Sequence, residues 1–205
     1  MMCLDENTAR YVASREAQCV TRRNRGIDSY ELAYAMLLME ENAALRDRIN
    51  AAIGDIRADG TLEALKKTYI DDCIAGKEPG AVLPESFEGA ETIKVAVTGD
   101  RPPMDYINAA GEPVGFNTAL VAEVAKRLEM NVELVSVSCG SRAIALSTGA
   151  ADIVFWTEGG NYDNWEGSAS EDQPEHTVAT DPYLTSRELC VVLKSSPLAE
   201  LLEAE

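Results

Sequence analysis

Residues 92–128 read TIKVAVTGDRPPMDYINAAGEPVGFNTALVAEVAKRL, residues 132–156 read VELVSVSCGSRAIALSTGAADIVFW, and residues 180–194 read TDPYLTSRELCVVLK. These stretches alternate short β-branched runs with one long amphipathic helix and one short helical turn. Strands that alternate with helices predict an α/β fold, in which a three-layer, mostly parallel sheet is flanked by helices. Ligands bind beyond the carboxyl ends of the strands in such sheets, so the loops after Val97 and Phe155 are the first candidates for a binding site.

Residue patterns within this region predict the individual elements. β-branched runs indicate strands over residues 93–97, 132–137, 152–156 and 189–193. Residues 116–128 separate apolar from charged side chains and predict an amphipathic helix, and residues 138–147 predict a short helix. The glycine pair in the loop over residues 157–160 either exposes amides that can receive an anionic group or forms a simple turn.

The first part of the chain contains a predicted helical hairpin. Apolar residues recur at steps of three and four between Asn42 and Gly60, and a second helix begins at Thr61. The preceding run YAMLLM (residues 34–39) is too short to assign and is either a buried strand or the start of the helix.

Shorter features flank the hairpin. Asp5, Asn7 or Thr8 caps a short helix that ends near Glu16. Residues 71–91 are rich in glycine, proline and acidic residues, which indicates a linker or an extended wrap.

Composition restricts the class of protein. The 205 residues, 46% of them apolar, can bury one ordinary core or two small ones. The 35 acidic and 18 basic residues give a net charge of -17, which argues against nucleic acid or an anionic membrane as a partner. The N-terminus lacks the charged and apolar regions of a secretory signal, and no run of ~18 apolar residues predicts a membrane span.

The cysteines give no sign of a metal or disulfide framework. There are five, without a paired short spacing: Cys3, Cys19, Cys73, Cys139 and Cys190. The sequence therefore predicts neither a zinc site nor a set of disulfides, and no cofactor is expected.

The loop after the first strand has binding-type chemistry. Pro102 and Pro103 stiffen it, so that it presents Asp100, Arg101 and Met104 with little conformational entropy to lose on binding.

The order of motifs resembles the family 3 extracellular solute-binding proteins, the amino-acid-binding components of ABC importers. The motifs that carry this resemblance are Pro102-Pro103-Met104 with Tyr106, Gly115-Phe116-Asn117, Ala145-Leu146-Ser147-Thr148-Gly149-Ala150-Ala151-Asp152, and Pro182-Tyr183 before LCVVLK. The resemblance implies one lobe of a type II periplasmic binding protein, a small-molecule ligand, an ABC permease as partner, and an extracytoplasmic location in the parent protein.

The N-terminal part resembles the opposite end of the same family, through YAMLLMEENAALRDRINAAIGDIRADGTLEALKKTYI at residues 34–70. The resemblance divides the chain into a remnant of lobe two (1–35), a C-terminal-type helical hairpin of lobe one (36–70), a linker (71–91), the core of lobe one (92–194) and the start of a missing connection (195–205). The hairpin either docks on the sheet of its own chain, in permuted order, or on a neighbouring chain as a homodimer swapped through helices 42–70.

Departures from the family pattern bear on the ligand. Amino-acid binders of the family usually carry a Thr-x-x-Arg segment whose arginine pairs with the ligand carboxylate, but here Thr157 begins Thr-Glu-Gly-Gly-Asn and no Lys or Arg lies between Arg142 and Arg187. The ligand is therefore expected to be an amino acid or related polar solute that is not held in the usual way, with Arg101 or Arg142 as a substitute. The predicted contacts are Asp100, Arg101, Met104, Tyr106, Cys139, Trp156, Thr157, Glu158 and Gly159.

Two other classes of function stay open at this point. An enzyme on the same fold could use Glu158, Asp163 and His176 as acid–base groups, although His176 has no positioned nucleophile and no metal-ligand spacing. A sensor input domain of a signalling receptor would have a transmembrane segment in the parent gene.

Overall fold

The structure is a computed structural model that describes residues 1–23, 31–160 and 173–202, and of residues 158–160 only the backbone. Its strands are β1 (Met2–Asp5), β2 (Cys19–Arg22), β3 (Glu31–Met39), β4 (Thr92–Val97), β5 (Asp100–Arg101), β6 (Asp105–Ile107), β7 (Pro113–Val114), β8 (Asn131–Ser136), β9 (Ile153–Gly160), β10 (Thr177–Ala179) and β11 (Leu184–Leu193). Its α-helices are α1 (Glu6–Arg15), α2 (Ala43–Ala58), α3 (Thr61–Lys66), α4 (Asp72–Ile74), α5 (Phe116–Leu128), α6 (Arg142–Ser147) and α7 (Leu198–Leu201).

Three parallel strands form the centre that the sequence predicts. Strand β4 pairs in parallel with β8 on one side and with β9 on the other, so that Val95 lies opposite both Leu134 and Ile153. The α/β fold class and the flanking helices are confirmed. Two antiparallel neighbours extend the sheet to the order β8-β4-β9-β3-β11, which we call the main sheet.

The unassigned run at residues 34–39 belongs to strand β3. Tyr34 lies opposite Thr157 of β9 and Leu184 of β11, which places β3 between two neighbours. Its residues from Ala33 to Leu38 are all buried, because both faces of the strand are covered. A continuous apolar run of this kind has no alternation, and this explains why periodicity did not identify it.

Helices cover the main sheet on both faces, which gives the three predicted layers. On one face, Ile49, Ile53 and Ile56 of α2 pack in a core that also contains Leu120 of α5 and Met36 of β3. Full burial of each such side chain contributes roughly 2–3 kcal/mol. On the other face, a smaller cluster joins α6 to the sheet through Leu37, Ala96, Ala145, Leu146, Ala151 and Val154.

The helical hairpin has the predicted form and packs on the sheet of its own chain. Helix α2 ends before Gly60, whose φ of 84° is a left-handed conformation that glycine adopts without strain. Helix α3 then continues through a π-helical turn at Lys67–Asp71 into α4. Residues 75–91 have no regular structure, and Val82 is buried with its amide bonded to Pro113 O, so this segment is an extended wrap.

The second half of β11 leaves the main sheet and enters a small sheet at the other end of the molecule. There Val191 lies between Met2 of β1 and Thr21 of β2, in the order β1-β11-β2. Helix α1 covers one face of this small sheet and α7 the other. The sequence predicted α1, which Asp5 caps by accepting bonds from Asn7 N and Thr8 N, but it gave no signal for the four-residue strands β1 and β2.

One disulfide corrects the expectation drawn from the cysteine spacing. Cys3 of β1 lies directly opposite Cys190 of β11, and the two are bonded across 187 positions of sequence. The pairing could not be predicted because it depends on β1, for which the sequence gives no pattern. Cys19, Cys73 and Cys139 are free.

Candidate functional site

The carboxyl ends of the parallel strands meet the crossing strands β3 and β11 at one edge of the main sheet. Strand β9 extends beyond Val154, the last residue that pairs with β4, while Tyr34 lies opposite Thr157. We call this place the cleft edge and define it by Tyr34, Thr98, Arg101, Arg142, Trp156, Thr157 and Tyr183. The main sheet passes into the small sheet next to it, so the cleft edge lies where the resemblance predicts a ligand.

Asp105 organises the loop that follows β4. Its Oδ1 accepts hydrogen bonds from Thr98 N (2.8 Å), Thr98 Oγ1 (2.8 Å) and Gly99 N (3.1 Å), and the residue is only 2% exposed. A charged acceptor that serves three donors fixes the loop more firmly than the two prolines alone. Sequence reasoning missed Asp105, because a single acidic residue in a loop carries no spacing signal.

The Gly115-Phe116-Asn117 motif joins this loop to the first turn of α5. Gly115 has a φ of 126°, and a Cβ at this position would lie 2.3 Å from Met104 O, so only glycine allows the close approach. Phe116 N and Asn117 N then donate to Pro103 O and Met104 O. Asn117 is itself buried, and its Oδ1 accepts a bond from the Tyr183 hydroxyl at 2.9 Å.

Three buried aromatic rings, those of Tyr34, Phe116 and Tyr183, lie near one another in the core. The ring of Tyr183 lies 6.4 Å from that of Tyr34 and 6.2 Å from that of Phe116. Burial raises the pKa of Tyr183, and Asp105 raises it further, while the guanidinium groups of Arg101 and Arg142 both lower it. Two cationic groups are therefore close enough to the same buried hydroxyl to influence it.

The hydroxyl of Tyr34 is an unsatisfied donor. The residue is 1% exposed and its oxygen makes no hydrogen bond within the described part of the chain. Burial raises the pKa of Tyr34 well above its usual value, and the nearby carboxylate of Asp5 adds to this effect without the geometry of a hydrogen bond. The hydroxyl stays protonated at neutral pH and can donate.

Arg142 and Trp156 form a stacked pair. The guanidinium carbon of Arg142 lies 5.4 Å from the centre of the Trp156 ring, within the range of a cation–π contact. Arg142 Nη1 donates to Phe155 O at 2.7 Å, and Nε donates to Cys139 O at 3.3 Å. The indole Nε1 of Trp156 is buried and has no acceptor among the described residues.

The structure brings some of the predicted contacts together and separates others. Arg101, Trp156 and Thr157 are half-buried at the cleft edge, and exposed Cys139 lies beside Arg142, with 3.5 Å between Sγ and Nη2. Asp100 is exposed. Met104 is completely buried in the core, and so it has no surface to offer a ligand. Tyr106 points away, with its hydroxyl 3.7 Å from Cys73 Sγ.

The predicted loop at residues 157–160 is instead the end of strand β9. Gly159 lies opposite Leu32 and Gly160 opposite Glu31, because the end of β9 pairs with β3. The sequence pattern did not identify β3 as a strand. The prediction that residues 157–160 form a loop, either as a turn or with amides exposed to an anionic group, is therefore wrong. The backbone of Glu158 lies opposite Ala33, and its side chain lies outside the described residues.

A second cleft lies between α1 and the hairpin of β6 and β7. It has a volume of about 260 Å³, and its walls include Tyr11, Arg15, Cys73, Lys77 and Tyr106. Arg15 stacks on Tyr11 at 5.0 Å and donates to Cys73 O, so both aromatic and cationic groups here already have partners.

The candidate acid–base groups do not converge within the described residues. His176 is exposed and faces Glu40 at 3.5 Å, and Asp163 lies outside the described residues. In the described ranges no group of His, Cys, Asp and Glu side chains is arranged to hold a metal ion. None of the described helices has the length and apolar character that a membrane span requires.

Comparisons with known proteins agree with this architecture. The model of the family described as bacterial extracellular solute-binding proteins, family 3, matches residues 93–198, just over half of the 205-residue chain. None of the curated proteins matches the chain in sequence.

Two solved structures are similar in outline. One is a phosphate-binding protein of a phosphate ABC transporter from Streptococcus pneumoniae TIGR4, with 9% identity, 94% of this chain and 76% of that chain covered, and a TM-score of 0.43. The other is the PBP AgaA from A. tumefaciens R10 in complex with agropinic acid, with 12% identity, 76% of this chain and 34% of that chain covered, and a TM-score of 0.42. The chain thus matches about a third of the length of the second protein.

Proposed function

Because the chain belongs to the family 3 bacterial extracellular solute-binding proteins, we propose that it binds a small polar solute at the cleft edge, between the main sheet and the small sheet. The observation that supports this proposal is the position of the cleft edge, where the carboxyl ends of the parallel strands β4 and β9 meet the crossing strands β3 and β11. Sheets of this class bind ligands beyond the carboxyl ends of their strands.

The finer proposal concerns the system in which the solute is bound. We propose that the protein is the extracytoplasmic solute-binding component of an ABC importer of the amino-acid type, with the permease as its partner. The disulfide between Cys3 and Cys190 supports an oxidising location outside the cytoplasm.

We further propose that the hairpin of residues 36–70 closes lobe one in permuted order. The contact that supports this is the burial of α2 against α5 and β3 of the same chain. Residues 1–35 would then be a remnant of lobe two, residues 71–91 would link the two ends of lobe one, and residues 195–205 would begin a connection that leads away from lobe one. A swapped dimer would place α2 on a neighbouring chain instead.

Solute binding can be tested with a panel of amino acids, dicarboxylates and neutral sugars. We expect at least one compound to raise the melting temperature with increasing concentration and to bind with 1:1 stoichiometry by calorimetry. Arg101→Gln should weaken that binding by about tenfold, because one charged hydrogen bond contributes about 1.5–3 kcal/mol. The matched control Arg48→Gln, on the exposed side of α2, should leave it unchanged. If no compound in the panel binds, the proposed function is wrong.

A further inference from the structure

We propose that helix α1 fastens the small sheet to the end of the helical hairpin, and that Arg15 makes the fastening contact. We call this contact the latch and define it by Arg15 and Tyr11 on α1 and the main-chain carbonyl of Cys73 on α4. None of these residues belongs to the cleft edge, so the latch does not depend on the identity of a bound solute.

Strand β11 carries the chain from the main sheet into the small sheet. Its residue Arg187 lies opposite Glu31 of β3, and the next residue, Glu188, lies opposite Asp5 of β1. Apart from β11, the contact of α1 with α4 is the most extensive one that joins a helix or strand of the small sheet to the other described elements. This contact therefore has a large share in fixing the small sheet against the hairpin.

Arg15 binds the C-terminal end of a long helix. Helix α3, the π-helical turn and α4 run without a break from Thr61 to Ile74. The carbonyl of Cys73 in the last turn accepts hydrogen bonds from Gly76 N and from Arg15 Nη2, both at 3.0 Å. The last carbonyls of a helix have no partners within the helix and carry partial negative charge, so a guanidinium group is a favoured partner.

Each half of the latch is held by its own surroundings. The guanidinium carbon of Arg15 lies 5.0 Å from the centre of the Tyr11 ring, one turn earlier on α1. Cys73 is 1% exposed, and its Sγ lies 3.7 Å from the hydroxyl of Tyr106, which ties the end of α4 to β6. Tyr106 follows Asp105, whose carboxylate fixes the loop after β4. The latch thus joins α1 to the segment that carries this loop.

The two ends of α1 are fastened differently. In the first turn, Glu6 accepts a hydrogen bond from Arg187 of β11 at 3.0 Å and pairs with Arg10 at 2.6 Å, so this end stays with the crossing strand. The last turn is held to α4 through Arg15, which is an exposed residue. A single hydrogen bond contributes little net stability, so we expect the last turn to lift from α4 more readily than the whole protein unfolds.

The thiol of Cys73 can report this movement. It lines the cavity of about 260 Å³ between α1 and the hairpin of β6 and β7, together with Arg15 and Tyr11. When the last turn of α1 lifts, this cavity opens and the buried thiol meets solvent. A thiol-specific reagent then reacts with Cys73 at a rate that follows the fraction of molecules in which the latch is open.

The experiment is alkylation of the native, disulfide-bonded protein with iodoacetamide, followed by peptide mass spectrometry. Arg15→Gln should raise the labelling rate of Cys73 by about two- to tenfold, because the net contribution of one hydrogen bond corresponds to that factor. Exposed Cys139 serves as the internal standard, and its rate should not change. The matched control Glu16→Gln removes a charge from the neighbouring exposed residue and should leave the rate at Cys73 unchanged.

Low concentrations of urea separate lifting of α1 from unfolding of the whole protein. Labelling through the open latch should hardly depend on urea below the unfolding transition, whereas labelling through global unfolding rises steeply with urea. The proposal is overturned if Cys73 reacts equally fast in Arg15→Gln and in the parent protein. It is also overturned if Cys73 reacts as fast as Cys139 in the parent protein, or if its rate rises with urea as steeply as global unfolding does.

Discussion

At the scale of single residues, the carboxylate of Asp105 is the group on which the geometry of the loop after β4 depends. Asp105→Ala would leave the amides of Thr98 and Gly99 and the Thr98 hydroxyl without their acceptor in a buried place. We expect the free energy of unfolding to fall by about 2–4 kcal/mol, because leaving a buried donor unsatisfied costs about 1–3 kcal/mol and these donors share one acceptor. Urea denaturation measures this change.

The matched control is Asp100→Ala, which removes an exposed carboxylate from the same loop. Its effect should stay within about 0.5 kcal/mol, as is usual for surface substitutions. Equal losses of stability in the two variants would contradict the role assigned to Asp105.

Asp59 gives a prediction for the dependence of stability on pH. Hydrogen bonds from the side chain and backbone of Thr61, and then from Arg127, lower the pKa of Asp59 from 3.8 to about 2. Since its folded pKa lies below the unfolded value, the carboxylate stabilises the fold above about pH 4, and this contribution is lost as the pH falls through 2. Asp59→Asn should therefore make stability less dependent on pH between 4 and 2 than in the parent protein. If the free energy of unfolding changes equally with pH in Asp59→Asn and in the parent protein, this prediction is contradicted.

Residue-level prediction from the sequence succeeded where a motif was local. The Pro102-Pro103 loop and the position of Trp156 in a strand follow from neighbouring residues. The roles of Asp105 and Tyr34 could not be foreseen, because each depends on a partner brought close by the tertiary fold, whereas Arg142 was named from the sequence as a substitute for the missing arginine. Met104 shows the opposite case, in which a residue predicted to meet the ligand is buried in the core.

At the scale of elements, the largest expected change in stability comes from a substitution in α2. Ile53 is 1% exposed and packs in the core between α2, α5 and the main sheet. Ile53→Ala should lower the free energy of unfolding by about 2–5 kcal/mol, through lost burial and the cavity left behind. Its neighbour Asp55 is exposed, and Asp55→Ala should change stability by less than about 0.5 kcal/mol.

The same variants test how α2 docks. If it packs on its own chain, unfolding of the parent and of Ile53→Ala will not depend on protein concentration. A midpoint that rises with concentration would indicate that α2 packs on a second chain, because association stabilises a folded dimer by mass action.

Elements were predictable in proportion to their length and periodicity. Helices α2 and α5 repeat apolar residues over three or more turns, and both were identified: α5 has the predicted bounds, and α2 ends two residues before Gly60. Strands β1 and β2 have four residues each and exist as neighbours of β11, so they carry no signal of their own. Strand β9 is longer than predicted because β3 pairs with its glycine-rich end.

At the scale of the whole molecule, the disulfide between Cys3 and Cys190 ties the first strand to the last. A cross-link that closes so long a loop restricts the unfolded chain and typically stabilises the fold by about 2–4 kcal/mol. Adding a reducing agent, or replacing both residues with serine, should lower the melting temperature by similar amounts. Cys139→Ser, at an exposed free cysteine, should have no such effect. An identical melting temperature in oxidised and reduced protein would contradict this prediction.

The order of motifs over residues 92–194 was enough to predict the central parallel strands and the family, since these motifs follow one another along the chain. The arrangement of the small sheet was not predictable, because it joins residues 2–22 to residues 188–193 across most of the sequence. Long-range pairings of this kind leave no local pattern.

Solute binding at the cleft edge can be followed through the fluorescence of Trp156. The chain has two tryptophans, so Trp165→Phe leaves Trp156 as the only indole. With a compound that calorimetry shows to bind, we expect a saturable change in Trp156 emission whose midpoint matches the calorimetric dissociation constant. Calorimetric binding without any change in that emission would contradict it.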